Sequence, residues 1–216
     1  MTTTANQKSF TEIINFIRDR FNEQEEFIPL HAPYFGGNEK KYVMDTIEST
    51  FVSSVGAYVT NFEEMMKQIT GAKFAIAMVN GTTALHLAML VAGVKHGDAV
   101  ITQPLTFAAT ANAIVHAGAS PVFIDVDKDT LGLSPVALEE WLKANTSVNE
   151  HGCFIQSTGQ RIAACIPMHS FGFPLYIEEI IMVCDKYRIP VVEDAAESLG
   201  SYVGEKHTGT FGLLGT

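Results

Sequence analysis

Two acids close an apolar run. Ile189, Val191 and Val192 have the β-branched character of a covered strand, and Glu193 and Asp194 follow directly. A carboxylate at the end of a buried strand is costly unless something positive or hydrogen-bonding meets it. A pyridinium N–H would meet Asp194 in that way. A helix cap or a salt bridge would do so equally well. Asn80-Gly81-Thr82-Thr83 follows another apolar run and opens a helical pattern. Free N–H groups at the positive end of a helix dipole, with a glycine allowing close approach, make a phosphate site. The same residues also make an ordinary turn and N-cap. They are neither a Walker motif, since no Gly-Lys-Ser/Thr is present, nor a G-x-G-x-x-G fingerprint. Phe107 offers a flat face for an aromatic ring, or packs in the core. His169 offers a donor to a ligand, or is a satisfied structural histidine. Glu197 brings a further carboxylate just beyond Asp194.

These residues belong together only if the chain folds so that they meet. Residues 74–79, 98–103, 121–126, 162–169 and 190–194 read as strands. Helical patterns over 82–93, 106–118, 135 onward (Ser134 as cap, Pro135 at the first position) and 175–187 lie between them. Residues 145–161 read as an excursion loop or hairpin. Alternation of this kind gives a largely parallel α/β sheet with helices on both faces. In such sheets ligands bind beyond the carboxyl ends of the strands, where all the residues above fall. Upstream, Phe10, Ile13, Ile14, Ile17 and Phe21 form one stripe of an amphipathic helix, 29–37 is an irregular arm, and helices are expected at 38–50 and 61–70.

Composition narrows the function. The 216 residues are 47% apolar and 18% charged, enough for a sizeable core. A net charge of −10 with no basic run argues against nucleic-acid binding. The three cysteines form no C-x-x-C pair, so neither a disulfide framework nor a metal site is expected. The first residues, MTTTANQKSF, show no apolar h-region, so no signal peptide is expected, and no apolar run is long enough to cross a membrane. A cytoplasmic protein is expected.

Read in order, NGTTALHLAM, LTFAATANAIVHAGASPVFIDVD, PMHSFGFP and VVEDAAESLGSYVGEKHTGTFG resemble the DegT/StrS family of pyridoxal-phosphate-dependent sugar-nucleotide aminotransferases. IPLHAPYFGGNEKKYV, TFVSSVGAYVTNFEE and TLGLSP are similar to its legionaminic-acid branch. The resemblance implies a fold-type-I large domain over 74–216, incomplete and lacking its last strands and small domain, after an arm and helices over 1–73. It implies that Gly81, Thr82 and Thr83 hold the phosphate of pyridoxal 5′-phosphate and that Phe107 stacks on its ring. Asp194 would pair with the ring nitrogen, Glu197 would lie on the phenolic-oxygen side, and His169 would line the pocket. It further implies L-glutamate as amino donor, C4 of a UDP-linked 4-keto-6-deoxy sugar as acceptor, and a homodimer. The alternatives are a sugar dehydratase of the same family and an inactive remnant that only binds ligand or partner. The Schiff-base lysine would fall about seven residues past Thr216, so this length alone is expected to be inactive. Two absent strands would leave a gap of about 10–15 Å between 74–79 and 190–194, with both edges exposed.

Overall fold

The structure is a computed structural model that describes residues 3–29 and 32–216. Met1, Thr2 and, in the expected arm, Leu30 and His31 lie outside the described residues. The chain divides into two compact units, 1–53 and 54–216.

The first unit holds two helices, α1 (Thr3–Phe21) and α2 (Glu39–Ser49). The apolar stripe expected on α1 is present, and Phe10, Ile13, Ile14, Ile17 and Phe21 are all exposed. Residues 32–36 of the arm have no regular structure. Helix α2 ends at Thr50, which takes a left-handed conformation and donates its N–H to the Ile47 carbonyl.

The second unit opens with α3 (Ala57–Thr70), closed by Gly71 at φ +74°, a conformation that favours glycine. Residues 54–73 thus belong to the same unit as the sheet. Then come α4 (Gly81–Val91), β1 (Ala99–Thr102), α5 (Ala108–His116), β2 (Ser120–Phe123) and α6 (Pro135–Asn145). The hairpin of β3 (Thr146–Asn149) and β4 (Gly152–Ile155) precedes β5 (Arg161–Ile166), and α7 (Ile177–Lys186) and β6 (Val192–Glu193) follow. A second hairpin, β7 (Tyr202–Val203) with β8 (Lys206–His207), precedes β9 (Leu214–Gly215). Ser134 caps α6 as expected, its side chain accepting from the Ala137 N–H.

The main sheet has the order β2-β1-β5-β4-β3. β1 runs parallel to both β2 and β5, while β4 lies antiparallel to β5 and β3. Past the point where β4 leaves it, β5 is continued by parallel bridges Cys165–Val191 and Met168–Asp194, and β6 pairs in parallel with β9. Alternation along the strands feeds two cores. Ala99, Ile101 and Cys165 pack with Leu138 and Leu142 of α6 and with Ile177 and Ile180 of α7. Val100, Ala164 and Ile166 pack with Leu85 and Met89 of α4 and with Ala113 and Ile114 of α5.

The strand expected over 74–79 is corrected. The segment has no ladder partner among the described residues, and Phe74, Ile76 and Val79 are exposed. It is tied by one bond, from the Ala77 N–H to Glu63 Oε1 at 2.9 Å. A strand exists only by pairing, and β-branched composition cannot supply the neighbour.

On α6 the buried Leu142 and the exposed Val136 separate packing from propensity. Leu142→Ala should cost about 2–5 kcal/mol in urea unfolding, whereas Val136→Ala should stay within about 0.5 kcal/mol.

Candidate active site

The carboxyl ends of β1, β5 and β6 converge around a buried polar framework. Gln103, next after β1, is fully buried. Its side-chain N–H groups reach the carbonyls of Leu105 and Met168 and Ser170 Oγ, and its oxygen accepts from the Leu133 and Met168 N–H groups. It locks the two loops that flank the site. Nothing in its sequence context distinguished it, because its partners are main-chain groups distant in sequence.

Asp194 stands at the end of β6 and is almost fully buried. Its Oδ2 accepts from Thr110 Oγ1 at 2.7 Å, and its Oδ1 accepts a longer bond from the Ala196 N–H at 3.3 Å. Burial pushes its carboxyl above the ordinary aspartate range, against the lowering by the Thr110 and Ala196 hydrogen bonds. An ionised carboxylate has about four acceptor positions, so the protein leaves Asp194 with capacity to spare.

Glu193 has the opposite fate. Fully buried, it accepts from the N–H groups of Gly209 (2.8 Å), Phe211 (2.6 Å) and Gly212 (2.6 Å), and pairs with His169 Nε2 at 3.1 Å. His169 Nδ1 accepts the Leu175 N–H at 3.3 Å, so the ring proton sits on Nε2 and points to Glu193. His169 has no exposed surface and lines neither of the two clefts of the site. Its main-chain N–H donates to the Asp194 carbonyl at 3.1 Å, so it buttresses the backbone of that acid, whose own carboxylate also lies beneath the cleft walls.

A small cleft of about 150 Å³ is lined by Thr106, Phe107, Met168, Ser170, Phe171 and Glu197. Phe107 occupies the N-cap position of α5 and is 70% exposed, which removes the core reading of this ring. Glu197 is exposed on the rim, and its Oε2 accepts the Phe171 N–H at 2.7 Å. That bond holds Phe171 at φ +56°, an uncommon conformation for a bulky residue. The adjoining Gly172, at φ +81°, is required: a Cβ there would lie 2.8 Å from the Glu197 carbonyl oxygen.

A larger cleft, about 440 Å³, is bordered by Asn80, Gly81, Ala195, Ala196 and Thr216. It joins the start of α4 to the turn after Asp194. Asn80 Oδ1 accepts from both the N–H and the hydroxyl of Thr83, so Thr83 is committed to the cap. The Gly81 and Thr82 N–H groups have no acceptor among the described residues, as expected at a helix start, and a Cβ on Gly81 would meet no atom within 4 Å. Among the described residues no lysine lines either cleft. Lys186 pairs with Glu139 and Lys206 lies over the Phe211 ring.

The family model of the DegT/DnrJ/EryC1/StrS aminotransferases matches residues 33–216. The chain belongs to that family. EpsN of Bacillus subtilis (strain 168), named for pyridoxal phosphate-dependent aminotransferase activity, is 39% identical over 87% of this chain and 46% of its own length. A GDP-perosamine synthase of Escherichia coli O157:H7 is 35% identical over 88% of this chain and 48% of its own. The X-ray structure of an aminotransferase from Psychrobacter cryohalolentis superposes with a TM-score of 0.74 at 29% identity, covering 88% of this chain and 44% of that one. The chain therefore spans about half the length of the curated relatives it matches. Its fold is the large α/β domain of the pyridoxal-phosphate-dependent transferases, in part. Pyridoxal 5′-phosphate is the cofactor of the family, and the residues present fit it. The exposed Phe107 ring, the free N–H groups of Gly81 and Thr82, and the under-supplied Asp194 carboxylate match its three kinds of atom.

The raised Asp194 carboxyl gives a signed prediction. The folded chain holds the Asp194 proton to higher pH than the unfolded chain does. Stability from this group is present below the ordinary aspartate value and is lost as pH rises through the folded value. Asp194→Asn should therefore raise the melting temperature of the ligand-free protein at pH 8, and the gain should fade towards pH 3. Glu193→Gln should cost about 1–3 kcal/mol by leaving a buried donor opposed to donors, with faster hydrogen exchange at Phe211 and Gly212.

Proposed function

We propose that this chain is the cofactor-binding part of a pyridoxal-phosphate-dependent sugar-nucleotide aminotransferase. The amino group passes from L-glutamate, which becomes 2-oxoglutarate, to C4 of a UDP-linked 4-keto-6-deoxy sugar, whose ketone becomes an amine. The parent enzyme is a cytoplasmic homodimer serving surface-polysaccharide or legionaminic-type nonulosonic acid synthesis. The observation that carries this reading is Asp194: a buried carboxylate with acceptor capacity to spare, at the end of the strand beside a cleft that a free helix start also borders. Similarity to a GDP-perosamine synthase supports a nucleotide-linked sugar as acceptor.

When bound, the cofactor supplies an electron sink for the electron pair released as a C–H bond beside nitrogen breaks. The chain's own residues serve that chemistry. Asp194 accepts the ring N–H and keeps the ring cationic. The N–H groups of Gly81 and Thr82 bind phosphate at the positive end of α4, with Thr83 ordering that turn through Asn80. Phe107 covers a ring face and excludes water from it. Glu197, with one oxygen on Phe171, presents an acceptor at the rim of the small cleft and would serve the cofactor's phenolic oxygen. The lysine that holds the cofactor covalently belongs to the part of the parent protein that the longer relatives also possess.

Two measurements test the reading. Titration with pyridoxal 5′-phosphate, followed by absorbance, should show binding that weakens about tenfold or more in Asp194→Asn. Unchanged affinity and spectrum would sink the ring-partner role. In the full-length parent, ¹⁵N-glutamate with the keto sugar should yield a ¹⁵N-labelled amino sugar by mass spectrometry. A deoxygenated product without ¹⁵N would establish the dehydratase instead.

A further inference from the structure

At the small cleft, Thr106 just before α5 and Thr110 in its first turn form a hydroxyl pair that the cofactor reading leaves without a task. Thr110 is fully buried, and its Oγ1 lies 2.7 Å from Asp194 Oδ2 and 2.6 Å from Thr106 Oγ1. Thr106 is half-buried on the cleft wall.

Proton counting fixes the direction of this chain. An ionised carboxylate only accepts, and a threonine has one O–H to give. Thr110 therefore donates to Asp194, and its oxygen can only accept from Thr106. Thr106 in turn spends its proton on Thr110 and has none for Met168 Sδ, 2.9 Å away. A threonine inside a helix commonly turns its hydroxyl back to the carbonyl of the preceding turn. Thr110 turns it across to another element instead.

We propose that Thr110, backed by Thr106, is the positioning residue that fixes and keeps ionised the Asp194 carboxylate for a cationic ring N–H, an inference that rests on the cofactor reading above. The bond occupies Oδ2 from the α5 side and, among the described residues, leaves Oδ1 with only the long bond from Ala196. The titratable groups acting on Asp194 are Glu197, on the turn after β6, which opposes its ionisation, and His169, after β5, which favours it. From the α5 side the balance receives the Thr110 hydroxyl, with the Thr106 hydroxyl of the preceding loop behind it. Burial works against the charged form, and Thr110 is the foremost of the groups that counter it. Two hydroxyls in series polarise each other, so the pair holds the charge better than Thr110 alone.

The test uses Thr110→Val, Thr110→Ser and Thr106→Val in the whole chain. The Asp194 carboxyl is followed by ¹³C NMR through a pH titration without ligand. Affinity for pyridoxal 5′-phosphate is then measured across the same pH range. Thr110→Val should titrate Asp194 at higher pH than wild type, bind the cofactor about tenfold more weakly at neutral pH, and lose affinity on acidification at higher pH than wild type. Thr110→Ser should restore both behaviours. Thr106→Val, on the cleft wall and outside the core, should move both in the same direction by less, and it carries the comparison should Thr110→Val fail to fold. A wild-type Asp194 titration in both valine variants, or a serine variant as impaired as the valine one, overturns the inference. Failure of the wild-type chain to bind pyridoxal phosphate, with the Asp194 titration shifted as expected, would count against the cofactor reading and not against the hydroxyl relay.

Discussion

Glu193, itself fully buried, takes three main-chain N–H groups from the half-buried segment 209–212 and the Nε2–H of the buried His169. A buried carboxylate would be prohibitive without those donors, and the Gly209, Phe211 and Gly212 N–H groups would lose their protein acceptor without the carboxylate. Each solves the other's problem, and the rest of the site depends on it. With 209–212 gathered there, β9 seats on β6, the Thr216 N–H reaches the Glu193 carbonyl, and the Ala195 N–H reaches the Thr216 carbonyl. The turn that follows Asp194 is thereby closed from the far side, and one wall of the larger cleft is set.

The neighbouring acid points the other way, as alternation along a strand requires. Glu193 is saturated and structural. Asp194 is left short of donors in a place where its charge is disfavoured. That contrast is how one strand end can both anchor a loop and keep a carboxylate in waiting. The fold tolerates the cost because Gln103 and the two threonines of the α5 start brace the surrounding loops.

The same economy is absent at the other border of the unit. Residues 74–79 are as apolar as β1 or β5, yet Phe74, Ile76 and Val79 stand exposed, and the Ala77 N–H is tied to a side chain and not to a strand. The chain spans about half the length of its curated relatives, and this is the segment of the unit where strand-like composition and observed structure part company.

Much was legible from the sequence alone. The period of the apolar residues located α4 to α7 and β1, β2 and β5 to within a few residues, because helices and buried strands are dictated by local spacing. Ser134 with Pro135 announced the start of α6 for an equally local reason. The placement of Thr106, His169 and Asp194 just past β1, β5 and β6 followed from the α/β alternation, whereas the expected strand before Gly81 did not form. Tertiary structure decided what no local pattern encodes. It settled whether a β-prone segment has a partner, which 74–79 lacks and 192–193 finds in β9. It gave His169 to Glu193, turned the Thr83 hydroxyl to Asn80, and left Phe107 exposed. Gln103 and Thr110 stayed silent in the sequence, and the part played by Glu193 did too, because their roles are hydrogen bonds to groups far along the chain, and such bonds are set by packing rather than by spacing.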